Sequence, residues 1–281
     1  VTLKTPPTTV VKSNVIYNLD GVNVAITSDH YPLYCDFKKP TGLEEYPKAE
    51  GDLRIGNYFL TYCKGTDGVI DYDRTGRIIA KMNADIVCLQ GLDKETERSE
   101  GIDQLNVLAQ KANMHDYFAK AIDYKGGEFG VGILTKEEPV SVDRYQMAGK
   151  SEMRAAMVVE YEKFVVASTN FDTDMAKRIE ALQTLQTKLS AYNKPAFLLG
   201  YFNEGDLESE FFQMVKSNWN LLSADKSTEV SGKKRRLDFI VSLKSHNVNV
   251  TQADVIESLS GVDVTVASTH YPLFCDFSGL K

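Results

Sequence analysis

A segment of this chain occurs twice, once at each end, and that limits the architectures open to it. Residues 1–37 align without a gap onto residues 241–277 at a constant offset of 240, with 18 of 37 positions identical. Identity is densest where the copies end. There Ser28-Asp29-His30-Tyr31-Pro32-Leu33-Tyr34-Cys35-Asp36-Phe37 matches Ser268-Thr269-His270-Tyr271-Pro272-Leu273-Phe274-Cys275-Asp276-Phe277. Chance does not produce such agreement, and a solenoid needs three or more short units in register. The copies are therefore two versions of one structural element, separated by the body of the chain.

Between them the pattern is that of an α/β protein. Residues 38–51 hold Pro40, Pro47, Gly42 and Gly51 among many charges and show no apolar period, which reads as a linker. Short apolar runs follow at 86–89, 117–121, 131–134, 157–159, 165–167 and 197–199, and these are strand candidates. Helical segments alternate with them. One contains residues 78–82 with Asp73 as its expected N-cap. A second opens at Asp172 or Asp174, with Met175, Ile179, Leu182, Leu185 and Leu189 spaced for one buried face. A third runs from about Ser209 to Lys216. Strands interleaved with helices, with late hairpins, predict two stacked sheets with helices outside.

The hydrophobic content of 43% suffices for a large core, and the net charge of −7 disfavours sequence-independent binding to a phosphate backbone. The one basic run, Lys233-Lys234-Arg235-Arg236, reads as a solvated loop. The four cysteines lack zinc-ligand spacing and read as buried thiols. No transmembrane run and no signal peptide are recognised, and the compartment stays open. Gly130-Val131-Gly132 is a turn running into a strand rather than a dinucleotide loop, since Thr135 stands where a third glycine is required.

Six segments, in order, resemble the motifs of the endonuclease/exonuclease/phosphatase family, the metal-dependent phosphoesterases related to deoxyribonuclease I. They are 53–59 (first strand), Ala84-Asp85-Ile86-Val87-Cys88-Leu89-Gln90-Gly91 (normally ending Leu-Gln-Glu), Ala167-Ser168-Thr169-Asn170-Phe171 (the Thr-His strand), Gly200-Tyr201-Phe202-Asn203 (Gly-Asp-Phe-Asn), Arg236-Leu237-Asp238-Phe239-Ile240, and the closing Ser-Thr-His-Tyr-Pro at 268–272. The resemblance spans about residues 52–277. It implies a four-layer α/β sandwich of two mixed β-sheets flanked by helices, with the site on the rim where strand ends converge. The implied layout is an extra copy of the closing strands at 1–37, a linker at 38–51, and the family-like domain at 52–281.

The family's chemistry implies magnesium held by carboxylates, a base to activate water and an acid for the leaving oxygen. This sequence departs from that set at five positions: Phe59 stands for the family's Asn, Gly91 for its metal-binding Glu, Asn170 for its catalytic His, Tyr201 for its Asp, and Thr269 for the closing Asp. Asn203, Asp238 and His270 survive, the last two as the dyad in which the carboxylate orients the imidazole. Without the carboxylates no cofactor and no metal ligand set is expected.

Three readings of function follow. In the first, the metal site is dismantled and rebuilt as a small-molecule pocket, in a designed catalyst or binder. Phe59, Gly91, Thr173 and Thr269 line it, and His270, Asp238, Tyr201, Asn203 and Asn170 supply its polar chemistry. Phe59 and Tyr201 fill a vacated hole equally well. Intact flanks at Leu89-Gln90, Gly200, Phe202-Asn203 and Tyr271-Pro272 point to selective replacement rather than drift. In the second, residual magnesium-dependent hydrolysis uses Asp29 and His30 of the first copy. In the third, the duplicated tail, laid out as in a circular permutant that kept its tail or equally as in a truncated tandem protein, exchanges between chains and gives a homodimer by domain swap. None of the three involves nucleic acid or a membrane.

Overall fold

The computed structural model describes residues 9–16, 30–38 and 45–281. Asp29, one of the residues singled out above, lies outside these. The chain divides into two compact units, 1–47 and 48–281.

In the first unit, β1 (Thr9–Val15) pairs antiparallel with β2 (Leu33–Lys38) as a two-stranded sheet. Thr9 lies opposite Lys38 and Val15 opposite Leu33, with a register shift between Val10 and Lys12.

The second unit contains, in order, β3 (Leu53–Phe59), α1 (Tyr72–Lys81), β4 (Ile86–Lys94), α2 (Gln104–Ala112), β5 (His115–Tyr124), β6 (Gly127–Thr135), β7 (Ser141–Met147), β8 (Arg154–Glu160), β9 (Val165–Asn170), α3 (Met175–Leu189), β10 (Ala196–Tyr201), α4 (Glu210–Asn218), β11 (Trp219–Leu221), β12 (Asp238–Leu243), β13 (Asn249–Val255), α5 (Val264–Ala267) and β14 (Leu273–Ser278). Two six-stranded sheets result, ordered β13-β14-β3-β4-β6-β5 and β11-β12-β10-β9-β8-β7. Each is mixed: β3–β4 and β9–β10 run parallel, and the other pairs run antiparallel. The sequence-based sandwich is the observed architecture.

The apolar runs explain the layering. β3, β4, β9, β10 and β12 are buried almost throughout, as strands covered on both faces must be. Ile55, Cys88, Ile133, Met157, Val166, Phe197, Leu199, Ile240 and Phe277 meet between the sheets. A second cluster forms where α3 and α4 cover the outer face of the second sheet, through Leu182, Leu185, Leu189, Phe211, Phe212 and Val215, with Trp219 beside them.

Two local expectations are corrected. The N-cap of α1 is Asp71, not Asp73. Asp71 is extended (φ −135°, ψ 98°) and accepts from the Arg74 amide, which is what a cap requires, while Asp73 lies in the first turn. Asp174 caps α3, but Met175 is 38% exposed. The buried stripe is Arg178, Ala181, Leu182, Leu185 and Leu189. Arg178 occupies a core-facing position because its guanidinium donates to the Asp172 and Thr173 carbonyls and pairs with Glu204 at 2.9 Å.

Candidate functional site

The motif residues meet at one rim because the topology brings their strand ends together. β3 ends at Phe59, β9 at Asn170 and β10 at Tyr201, all at the carboxyl ends of parallel strands. Asp238 opens β12 opposite Tyr201, and His270 precedes β14. Gly91 lies in a bulge, where the β4–β6 register shifts between Gln90 and Leu92.

At the centre of the rim three rings contact one another. Phe59 and Tyr201 have centroids 4.6 Å apart, Phe59 and His270 4.7 Å, and Tyr201 and His270 4.7 Å. His270 Nδ1 donates to Asp238 Oδ2 at 2.6 Å, with both residues buried. The surviving dyad of the sequence is thus assembled, and its imidazole packs against two aromatic rings. Burial, aided by the Asp238 carboxylate, pushes the Tyr201 phenol up to about 12, so Tyr201 is neutral there.

The other residues singled out in the sequence are mostly tied into protein. The Thr269 hydroxyl lies 2.9 Å from that of Thr61, and Ser268 Oγ donates to the Phe59 carbonyl at 2.6 Å. Asn203, in a left-handed conformation (φ 54°), donates through Nδ2 to the Phe171 carbonyl at 2.7 Å and to Asn170 Oδ1 at 3.3 Å. Thr173 stands apart. Its side chain is exposed on the loop before α3, and its carbonyl accepts from Arg178. Gly91 has a constrained backbone. Its φ is +72°, and a Cβ there would stand 3.2 Å from Phe59 Cε2. The backbone there has a shape that disfavours any side chain.

Several residues at the rim escaped sequence reasoning. The segment 227–230 pairs with 269–271: Val230 donates to the Thr269 carbonyl at 2.9 Å and Tyr271 to that of Thr228 at 2.8 Å. Glu229 on that segment is held by Arg235, whose guanidinium lowers the carboxyl to about 2. Arg236 is bound to Asp225 and to the Ser223 carbonyl. Half of the basic run is therefore committed internally. Beneath the rim, Gln90 Nε2 donates to Asn57 Oδ1 (2.8 Å) and Ser168 Oγ (3.2 Å), a buried polar link between the sheets. The signal for it was present in the sequence as polar side chains inside apolar strands.

A magnesium ion does not fit the donor set at the rim. The positions that resemble the family's ligands present an aromatic ring, a glycine, a phenol and a hydroxyl. The carboxylates nearby, Asp238 and Glu229, are engaged by His270 and Arg235. Among the described residues no three His, Cys, Asp or Glu side chains group as a metal site. A cavity of about 470 Å³ opens at the opposite end of the sandwich, lined in part by Lys48, Asp85, Tyr161, Phe164 and Lys281. Among the described residues no helix is long and apolar enough to cross a membrane. Cys63, Cys88 and Cys275 are buried free thiols, as expected of them, and the side chain of Cys35 lies outside what the structure describes.

No family model matches this chain, and no curated protein does. Solved structures do. An endonuclease/exonuclease/phosphatase from Beutenbergia cavernae DSM 12333 superposes with a TM-score of 0.66 at 18% identity, over 82% of this chain and 73% of that one. An endonuclease/exonuclease/phosphatase family protein from Bacteroides thetaiotaomicron gives 0.64 at 16% identity, over 82% and 96%. A mannosyl-6-phosphatase from Bacteroides thetaiotaomicron VPI-5482 gives 0.63 at 16% identity, over 80% and 99%. Two packed six-stranded mixed sheets, helices on their outer faces and motif residues converging on one rim give this chain the endonuclease/exonuclease/phosphatase fold.

Proposed function

We propose that this chain is a non-hydrolytic form of that fold, with the metal-dependent phosphoesterase site replaced by a closed aromatic cluster. The observation that carries the reading is the mutual packing of Phe59, Tyr201 and His270 where the resemblance places a hydrated cation. Magnesium is held by hard oxygen ligands, usually including one or two carboxylates, and keeps several waters. Rings in contact leave neither the anionic oxygens nor the space. The replacement is selective, because Leu89-Gln90, Gly200, Phe202-Asn203 and Tyr271-Pro272 flank the changed positions unaltered. That pattern supports purposeful replacement, by selection or by design, over unselected drift. Packing of the rings against one another favours hole-filling over a ligand pocket for Phe59 and Tyr201, and gives His270 a structural role with Asp238.

The test compares the chain with its Phe59→Asn, Gly91→Glu, Asn170→His, Tyr201→Asp, Thr269→Asp variant. Magnesium binding by calorimetry and hydrolysis of a generic phosphodiester are measured for both. The parent is expected to show neither above background, and the variant to bind magnesium and turn over. Strong magnesium-dependent turnover by the parent sinks the reading.

A further inference from the structure

We propose that the cavity at the end of the sandwich opposite the rim binds a small aromatic carboxylic acid. The cavity lies where strands of both sheets begin or turn. β3 opens at Leu53 and β4 at Ile86, β6 ends at Thr135, and the turn from β8 to β9 carries Tyr161 and Phe164. Its volume of about 470 Å³ is that of a small-molecule pocket.

Two kinds of surface meet in it. One is apolar. Leu53, Ile86, Tyr161 and Phe164 all line the cavity, and the two rings stack with centroids 4.8 Å apart and planes 25° apart. Rings already held in place offer an aromatic ligand a contact that costs little side-chain entropy on binding.

The other surface is cationic. Lys48 Nζ lies 2.7 Å from Asp85 Oδ2, and the Lys281 and Lys136 Nζ atoms lie 3.1 and 3.6 Å from Oδ1. The Arg54 amide also donates to Oδ2, at 2.8 Å. A carboxylate has about four lone-pair sites, so these four donors fill Asp85. Each ammonium group keeps donors to spare. A purely structural ion pair needs one lysine for one aspartate, and here three ammonium groups face it. Glu137 and Glu162 also line the cavity. Both are exposed, where water and salt screen their charge, and neither pairs with these lysines among the described residues.

The excess charge has a cost at Lys48. Burial, with the Lys281 and Lys136 charges, holds its ammonium below the usual lysine range despite Asp85. A second carboxylate among the three ammonium groups would relieve that repulsion and form charge-assisted bonds, which are the stronger kind. The two surfaces together set the ligand class. The rings of the ligand lie on the stacked pair, and its carboxylate faces the lysines. The cavity shares no residue with the rim, so its test is independent of the phosphoesterase reading.

The experiment titrates the full chain with naphthoate, and with naphthamide and acetate for comparison, followed by amide proton–nitrogen NMR. Naphthoate should shift Asp85, Lys136 and Phe164 and leave Phe59, Asn170 and Tyr201 in place. Naphthamide lacks the charge and acetate lacks the rings, so each should bind about tenfold or more weakly. Lys136→Gln removes a side chain that is 41% exposed, on which folding depends little, and should weaken naphthoate about 3–10-fold. Lys233→Gln, in the basic run, should leave affinity unchanged. Absence of binding overturns the proposal, as do shifts at the rim in place of the cavity. Equal affinity for naphthamide, or an affinity that Lys136→Gln and Lys233→Gln affect alike, overturns it as well.

Discussion

Gly91 offers the sharpest test of how the rim is built. The perturbation is Gly91→Ala, alone and with Phe59→Asn. Three contributions set its size. A β-carbon at φ +72° is in the left-handed region, which costs about 1–2 kcal/mol for an L-residue. The same carbon stands 3.2 Å from Phe59 Cε2 and 3.4 Å from the Thr61 amide nitrogen. Relieving such crowding costs on the order of 1 kcal/mol. Against these, alanine restricts the unfolded chain and returns roughly 0.4–1 kcal/mol. The net is a destabilisation of about 1–2 kcal/mol, or a fall in Tm of about 2–8 °C for a domain of this size. With Phe59→Asn the ring contact disappears, and only the strain less the entropy gain remains, so the alanine should cost about 1 kcal/mol or less. Urea unfolding of all four proteins in a double-mutant cycle isolates the coupling. A Gly91→Ala chain as stable as the parent would show that the bulge is not locked by its conformation. Equal cost in both backgrounds would show that Phe59 does not press on it. Either result also bears on restoring a glutamate at 91, because the backbone must relax before a carboxylate can point at a metal.

Three further outcomes are expected. Arg54 donates through Nε and Nη2 to Asp276, both bonds at 2.7 Å and both residues buried, so Arg54→Met should cost about 3–5 kcal/mol by leaving a buried carboxylate unpaired. Arg54→Met/Asp276→Leu should recover most of that in urea unfolding, and no recovery would mean that the arginine acts through its Phe274 contact instead. Tyr201 has a folded value of about 12, above the ordinary phenol value, so the stability it contributes is complete below about pH 10 and is lost as pH rises toward 12. Tyr201→Phe should therefore unfold less steeply with alkali, and an unchanged alkaline limb would place the phenol in water. Although burial raises the Asp85 carboxyl, donation from Lys48 and from the Arg54 amide, with the Lys48 charge, holds it below the usual range. Its stabilisation is present above about pH 4 and lost as pH falls further. The stability gap between the parent and Asp85→Asn should close in acid, and a gap independent of pH would refute the charge argument.

The sequence by itself determined the fold class and the order of the strand and helix segments, because these depend on local pattern and linear spacing. Alternation of apolar strands with capped helices is written residue by residue, and so is the duplication at the two ends. Even so, the cap of α1 fell two residues from its expected place and Met175 turned outward, since a helix's start and face are settled by what it packs on. Only the tertiary structure decided that Phe59, Tyr201 and His270 touch. Their strands are far apart in sequence and meet because both sheets deliver their ends to one rim. It alone gave Gly91 its left-handed bulge, set Glu229 against Arg235, and joined Asn57, Gln90 and Ser168 beneath the rim. It also placed β14 beside β3, with Leu273 opposite Asn57. Apart from Glu229 and Arg235, these contacts join residues far apart in the chain, and no local pattern encodes which distant strands become neighbours.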